Sequence, residues 1–75
     1  MPYDAQAFGI VIGRLRTRLG LSQEAAAGLA GISRSHLALL EAGRKTVRLD
    51  TFWRLADALR VTPAELMRLV ELEVR

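Results

Sequence analysis

The chain contains no cysteine and only one histidine, His36. Without cysteine it can form neither disulfides nor a thiolate metal site, and one histidine cannot hold zinc unaided. No apolar run approaches the roughly 20 residues of a membrane span, and no secretory signal pattern is present. We therefore expect no cofactor, no membrane partner and a cytoplasmic location.

The sequence also lacks strand-like alternation, internal repeats, low-complexity segments and linkers. Its apolar residues instead recur at steps of three and four, which is the periodicity of amphipathic helices. A length of 75 residues is typical of one small domain. The prediction is one all-α domain over residues 1–75, built as a compact unit of five short helices.

Basic residues outnumber acidic ones, and they are unevenly placed. Eleven Lys and Arg against eight Asp and Glu give a net charge of +3. Up to Ala56 eight bases stand against four acids, a balance of +4, whereas the remainder has three bases and four acids. A basic body suits a polyanion such as nucleic acid, although a charge of +3 is also ordinary for small soluble proteins.

The first helix is predicted from Ala5 to about Leu19, with Asp4 as its N-cap and Tyr3 as a hydrophobic staple. One apolar stripe runs along it at Phe8, Ile12, Leu15 and Leu19. Ile10 points to the opposite side, where it is either an ordinary surface hydrophobe or a contact with another chain.

Residues 22–43 form the central motif. Ser22 and Ser33 are N-caps for two short helices, the first from Gln23 to Ala30 and the second ending at about Ala42. Gly31 ends the first of these helices, because glycine adopts the left-handed conformation readily. The inward positions of the second helix are Leu37 and Leu40. Two short helices around a glycine turn are either a DNA-reading unit or a packing corner.

A basic loop, from Arg44 to Leu49, follows the motif. Asp50 is the predicted cap of a fourth helix from Thr51 to about Arg60, with Trp53 half-buried beside its apolar stripe. The stretch Thr62-Pro63-Ala64-Glu65 has the form of a capping box and predicts a fifth helix over about residues 63–74. Its apolar surplus is either a dimer contact or a cover for the monomer's own core, and comprises Leu66, Leu69, Val70 and Leu72.

Several short segments match, in order and spacing, a pattern that covers roughly residues 8–69. They include Phe8-Gly9, Gly20-Leu21-Ser22-Gln23-Glu24, Gly31-Ile32-Ser33-Arg34-Ser35, Leu40-Glu41-Ala42-Gly43-Arg44 and Val61-Thr62-Pro63-Ala64-Glu65-Leu66. Through these segments the chain resembles the Cro/phage-repressor-type (XRE-like) helix-turn-helix family and, less specifically, its restriction–modification controller proteins. The resemblance implies a lambda-repressor-like, five-helix DNA-binding domain.

The resemblance also implies residue roles. Base readers lie at the outward start of the third helix, at Arg34, Ser35, Ala38 and Leu39. Phosphate contacts are implied for six residues, namely Gln23, Ser33, His36, Arg44, Lys45 and Arg48. Arg16 and Glu41 are implied as a structural ion pair between the first and third helices.

Each contact role has a simpler alternative. Arg34 is suited to O6 and N7 of guanine, but it is alternatively a phosphate contact or a solvated side chain. Gln23 and Ser33 could serve the helix starts alone, His36 could only pack, and the basic loop could be a solvated turn. Leu39 departs from the polar reader common in phage repressors, because leucine cannot hydrogen-bond a base edge, though it can touch a thymine methyl.

The favoured function is a sequence-specific transcriptional regulator that binds double-stranded DNA as a homodimer on a two-fold operator. It would act by occupying a promoter or by contacting RNA polymerase, as a repressor or an activator, and no small-molecule ligand is expected. The alternative is a helical protein-interaction module such as an antitoxin, with DNA binding secondary or lost. No nucleophile–base pair, metal cluster or phosphate loop indicates an enzyme.

Overall fold

The computed structural model describes residues 3–74, so Arg75 and the first two residues of the segment before the first helix lie outside the described part. The helices are α1 (Ala5–Arg18), α2 (Gln23–Ala30), α3 (Arg34–Glu41), α4 (Leu49–Ala58) and α5 (Pro63–Val74). Residues 3–74 contain no strand. The prediction of an all-α domain of five helices is confirmed.

Four helix starts have the predicted side-chain caps. The caps are Asp4, Ser22, Ser33 and Thr62, and each accepts a hydrogen bond at 3.0 Å from the backbone N–H three residues further on. Each bond satisfies one of the N–H groups that the start of a helix leaves free. These caps explain why α1, α2, α3 and α5 begin where the sequence predicted them.

The start of α4 differs from the prediction. The helix begins at Leu49 rather than Thr51, and its N-cap residue, Arg48, makes no side-chain cap bond. Asp50 therefore lies inside the first turn, where its carboxylate accepts the N–H of Thr51 at 2.9 Å. An acidic side chain is favoured throughout the first turn as well as at the cap, so the residue type did not separate the two positions.

The capping box at the start of α5 is only half formed. Thr62 makes its bond, but the Glu65 carboxylate accepts two N–H groups of Arg68, each at 2.9 Å. The hydrogen bonds from Arg68 lower the pKa of Glu65 below its ordinary value. The side chain of Glu65 thus serves an exposed ion pair within the helix instead of closing the box.

The helices share one core. Its largest fully buried side chains are Phe8, Ile12, Leu37, Leu40, Leu55 and Leu66. Phe8 of α1 and Phe52 of α4 stack with ring centroids 5.7 Å apart and an interplanar angle of 25°. α2 contributes only small buried side chains, Ala26, Ala27 and Ala30, which let it approach its neighbours closely.

Two apolar residues are more exposed than the sequence predicted. Leu19 follows the last residue of α1 and forms its C-cap, so it does not extend the buried stripe of that helix. Trp53 is 59% exposed instead of half-buried. It lies on the outward side of α4, because Phe52 and Ala56 are on the buried side of that helix.

The packing of the helices leaves one side of α3 uncovered. α1 packs against α3 and α5, and α2 packs against α3 and α4. α3 is therefore held along its inner side by α1 and α2, while its outward residues remain exposed. Over residues 3–74, no helix combines the length and the apolar character needed to cross a membrane.

Candidate nucleic-acid interface

The outward face of α3 carries the four residues predicted to read bases. Arg34, Ser35 and Leu39 are exposed, and Ala38 is half-buried. Residues four apart lie on the same face of a helix, so Arg34 stands beside Ala38 and Ser35 stands beside Leu39. The structure therefore brings all four together on one surface, which we call the reader face.

The opposite side of α3 is anchored in the core. Leu37 and Leu40 are completely covered, as predicted. The end of α3 lies so close to α1 that a Cβ on Gly9 would stand 2.5 Å from the carbonyl oxygens of both Leu40 and Glu41. Only glycine permits this approach, so the position of α3 is fixed by direct backbone contact with α1.

A polar network joins α1, the start of α2 and the end of α3. Arg16 donates to both carboxylate oxygens of Glu41, at 2.7 and 3.1 Å, and to the Leu21 carbonyl at 2.8 Å. The two charged side chains are only 19% and 11% exposed. The hydrogen bond to Glu41 raises the pKa of Arg16. A partly buried, two-pronged pair of this kind orients the helices and compensates the charge of Glu41.

Gln23 belongs to the same network. Its side-chain amide donates to Glu41 at 3.1 Å. An amide nitrogen has two N–H groups, so the bond to Glu41 uses one and leaves the other as a donor. Glu41 thus positions Gln23, an arrangement that the sequence did not reveal because it depends on three helices meeting at one point.

Ser33 and His36 are tied to each other at the start of α3. The Ser33 hydroxyl oxygen accepts the His36 backbone N–H at 3.0 Å, which is the capping role, and the hydroxyl proton is still free to donate. His36 is half-buried, so its position fits both packing and an outward contact. Within residues 3–74, no three His, Cys, Asp or Glu side chains are grouped to hold a metal ion.

The loop after α3 begins beside the reader face, since the Arg44 N–H bonds to the Leu39 carbonyl at 3.0 Å. Arg44 and Lys45 are exposed. Arg48 lies 3.4 Å from an Asp50 oxygen, which partly offsets its charge, although its side chain is 84% exposed. The loop therefore holds two uncompensated cations next to α3, and a third cation, Arg48, that pairs with Asp50 of α4.

Cations without an acidic partner gather around the reader face. Within residues 3–74 five bases form no ion pair, namely Arg18, Arg34, Arg44, Lys45 and Arg60. Three of these five belong to α3 or to the loop that follows it. Charge that is left uncompensated in one region attracts a polyanion.

The predicted dimer contacts of α5 do not form an exposed surface. Leu66 and Val70 are 0% and 7% exposed, which agrees with the alternative that they cover the monomer's own core. The chain's own core already covers these side chains, which leaves no area for a partner. Leu69 packs half-buried against the core, and Leu72 is about half exposed.

Exposed apolar residues gather instead around the start of α4. Leu49 is 70% exposed and lies one turn from Trp53 on the same face of the helix. Leu49 also lines a groove together with Tyr3 and Met67, with Phe8 of the core at its floor. We use the name α4–α5 face for Leu49 and Trp53 of α4, Met67 of α5 and the neighbouring Tyr3, which precedes α1. The sequence shows the spacing of Leu49 and Trp53, but the prediction that α4 begins at Thr51 places Leu49 in the preceding loop.

The sequence matches a known family and a named relative. The family model described as a helix-turn-helix domain matches residues 7–69. An uncharacterized HTH-type transcriptional regulator, y4dJ, of Sinorhizobium fredii is 41% identical over 54 residues, which are 72% of this chain and 70% of that protein.

Solved structures share the fold. The restriction-modification controller protein C.AhdI from Aeromonas hydrophila has a TM-score of 0.81 at 43% identity, over 84% of this chain and 96% of that one. The clp gene regulator ClgR from C. glutamicum has a TM-score of 0.89 over 100% of this chain and 97% of its own, but at 23% identity it supports the fold alone. From the family match and the motif at residues 22–43, the chain belongs to the DNA-binding helix-turn-helix family of transcriptional regulators.

Proposed function

We propose that this protein is a sequence-specific regulator that binds double-stranded DNA as a homodimer on a two-fold operator. The observation that carries the proposal is the exposed reader face of α3, which includes Arg34, with the cations Arg44 and Lys45 in the loop beside it; none of the three forms an ion pair within residues 3–74. The major groove admits a single helix. In that position the reader face meets base edges, and the cations beside it meet phosphates.

Specific base contacts are assigned to the four residues of the reader face. The Arg34 guanidinium can donate to O6 and N7 of guanine together, which discriminates against other bases by about 1–3 kcal/mol. Ser35 can donate to or accept from either kind of base edge. Ala38 and Leu39 make apolar contacts only.

Phosphate contacts are assigned to residues that surround the reader face, namely Gln23, Ser33, His36, Arg44, Lys45 and Arg48. Gln23 stands at the first turn of α2, where backbone N–H groups and the helix dipole favour an anion. Its amide is already oriented by Glu41. The exposed bases of the loop add the salt-sensitive part of the affinity.

A second copy of the chain is needed for useful specificity, because one recognition helix covers few base pairs. Two-fold dimers place two such helices in successive major grooves, about 34 Å apart. We assign the contact between copies to the α4–α5 face, with Leu72 and Leu69 as the remaining α5 candidates. Bound in the cytoplasm to a promoter, the dimer would block or contact RNA polymerase, according to the operator position.

The test is a titration of the purified protein into duplexes selected from random DNA, repeated at several salt concentrations. Three cationic phosphate contacts per subunit, Arg44, Lys45 and Arg48, give six per dimer. The slope of log affinity against log salt should then be about −5. Lys45→Gln should reduce that slope by about two, one for each subunit, with little change in base preference.

Arg34→Ala should instead relax the base preference at one position of each half-site. Arg68→Gln is the matched control, because it removes the same charge from an exposed site on α5 away from α3. It should leave both preference and slope close to wild type. Absence of any duplex binding at low salt would overturn the proposal and favour a protein-interaction module.

A further inference from the structure

The reader face of α3 is divided between two kinds of chemistry. Its first turn presents the polar Arg34 and Ser35, whereas the next turn presents Ala38 and Leu39. Leu39 is 42% exposed, so a large part of an aliphatic side chain points away from the core. Neither Ala38 nor Leu39 has a side-chain donor or acceptor for a base edge.

The surroundings of this apolar turn indicate what covers it. Arg34 stands one helical turn before Ala38, and the Arg44 N–H bonds to the Leu39 carbonyl at 3.0 Å. Both arginines lack an ion-pair partner within residues 3–74. An apolar protein surface seated here would desolvate the Arg34 guanidinium, which lies on the same face of α3, and this is unfavourable. A nucleic acid can bind Arg34 through a guanine edge and Arg44 through a phosphate while it covers Leu39.

The major groove offers one apolar group on its base edges, the methyl on C5 of a pyrimidine. Apart from ring C–H groups, which offer leucine less contact area than a methyl, the other groups there are donors or acceptors, and covering them with leucine would leave them without a partner. We propose that Leu39, assisted by Ala38, reads a pyrimidine C5-methyl group in each half-site. This inference rests on the proposed function and assigns the chemical class of base that the second turn of α3 accepts.

Two bases carry such a methyl group, thymine and 5-methylcytosine, and the experiment separates them. It starts from a duplex selected by the wild-type protein. At each pyrimidine of one half-site, four versions are compared, with thymine, deoxyuridine, cytosine or 5-methylcytosine. Thymine and deoxyuridine differ only in the C5-methyl group, and so do 5-methylcytosine and cytosine. Each pair therefore measures the effect of the methyl group alone. At one position, both comparisons should favour the methylated base about four-fold, the value of one buried methyl-sized group.

The same duplexes are then titrated with Leu39→Ala. The methyl preference at that position should fall towards one-fold, while the preference set by Arg34 is retained. Alanine favours the helix, and residue 39 is exposed, so the variant should stay folded. Ile10→Ala is the matched control, an equally exposed aliphatic residue on the outer side of α1, and it should keep the four-fold preference.

The outcomes distinguish this inference from the function on which it rests. If no duplex is selected from random DNA, the proposed function fails as a whole. If a duplex is selected and bound tightly, but no position responds to the methyl group, methyl reading is overturned and the function stands. An equal methyl effect in wild type and Leu39→Ala would also overturn it, since another residue would then make the contact.

Discussion

At the scale of single residues, Gly9 and Gly28 show how one residue type can have opposite meanings. Both lie inside helices. A Cβ on Gly9 would stand 2.5 Å from two backbone carbonyl oxygens of α3, whereas a Cβ on Gly28 would meet nothing within 4 Å. Glycine at position 9 is therefore required by packing, and glycine at position 28 only weakens α2.

Alanine substitutions at these two glycines should change stability in opposite directions. Gly28→Ala should raise the free energy of unfolding by about 1 kcal/mol, because the new methyl enters open space and alanine favours the helix. Gly9→Ala should lower it by about 1–3 kcal/mol, because backbone must move to admit the methyl. Urea unfolding followed by circular dichroism, at one protein concentration, measures both. Unchanged stability in Gly9→Ala would show that α1 and α3 can separate freely.

At the scale of helices, α1 to α4 all end with the same backbone pattern. The residue in left-handed conformation donates its N–H to the carbonyl three positions earlier. The residue after it donates its N–H to the carbonyl five positions before itself. These left-handed residues are Gly20, Gly31, Gly43 and Arg60, with φ values of 73°, 70°, 72° and 63°. Arg60 is the exception in kind, because a residue with a Cβ is strained in this conformation.

Replacing Arg60 by glycine should therefore stabilise the protein. The relief of about 1–2 kcal/mol exceeds the entropic penalty of glycine, about 0.5–1 kcal/mol, so Arg60→Gly should raise the free energy of unfolding by about 0.5–1 kcal/mol. Gly20→Ala is the reverse control. The added Cβ would meet nothing within 4 Å, so the change in stability reflects the backbone conformation alone. This substitution should lower the free energy of unfolding by a similar amount. Thermal unfolding of both variants provides the measurement, and a destabilised Arg60→Gly would show that the arginine side chain makes a stabilising contact.

The helix boundaries that could be predicted are those fixed by local bonds. Ser22, Ser33 and Thr62 each bond to an N–H three residues away, and Gly31 ends α2 through its own conformation. α4 has no side-chain cap. Its start depends on packing against the rest of the chain, so the sequence placed it two residues late and assigned Leu49 to the loop.

At the scale of the whole molecule, the sequence predicts which residues of α3 face outward, but it does not predict the contacts that form between helices. Two buried leucines, Leu37 and Leu40, fix how α3 is rotated, and that rotation decides which residues face outward. The hold of Glu41 on Gln23 requires three helices to converge, and no spacing along the chain encodes it. Leu66 appeared available because the sequence does not show that α1 and α4 both pack against α5.

The dimensions of the molecule agree with a dimer on successive major grooves. The Cα atoms extend over 31 × 22 × 21 Å, so equivalent helices of two adjoining copies can lie about 34 Å apart. A standard interface covers about 800 Å² of each partner, about a sixth of the accessible surface of 4732 Å². The α4–α5 face supplies apolar side chains for such a contact, with Trp53 and Leu49 the most exposed of its members.

Trp53→Lys should therefore separate the copies without unfolding them. The side chain is 59% exposed, lysine favours a helix, and Asp50 and Asp57 stand one turn away on either side as partners for the new charge. A tryptophan at the centre of an interface contributes about 2 kcal/mol or more, so the dimer dissociation constant should rise at least roughly 30-fold. Sedimentation over a range of concentrations measures it. Ile10→Lys is the control, at a residue that is 45% exposed on the outer side of α1, and it should sediment as the wild type does. A dimer that persists in Trp53→Lys but dissociates in Ile10→Lys would move the interface to α1, and would leave the α4–α5 face free for a partner of another kind.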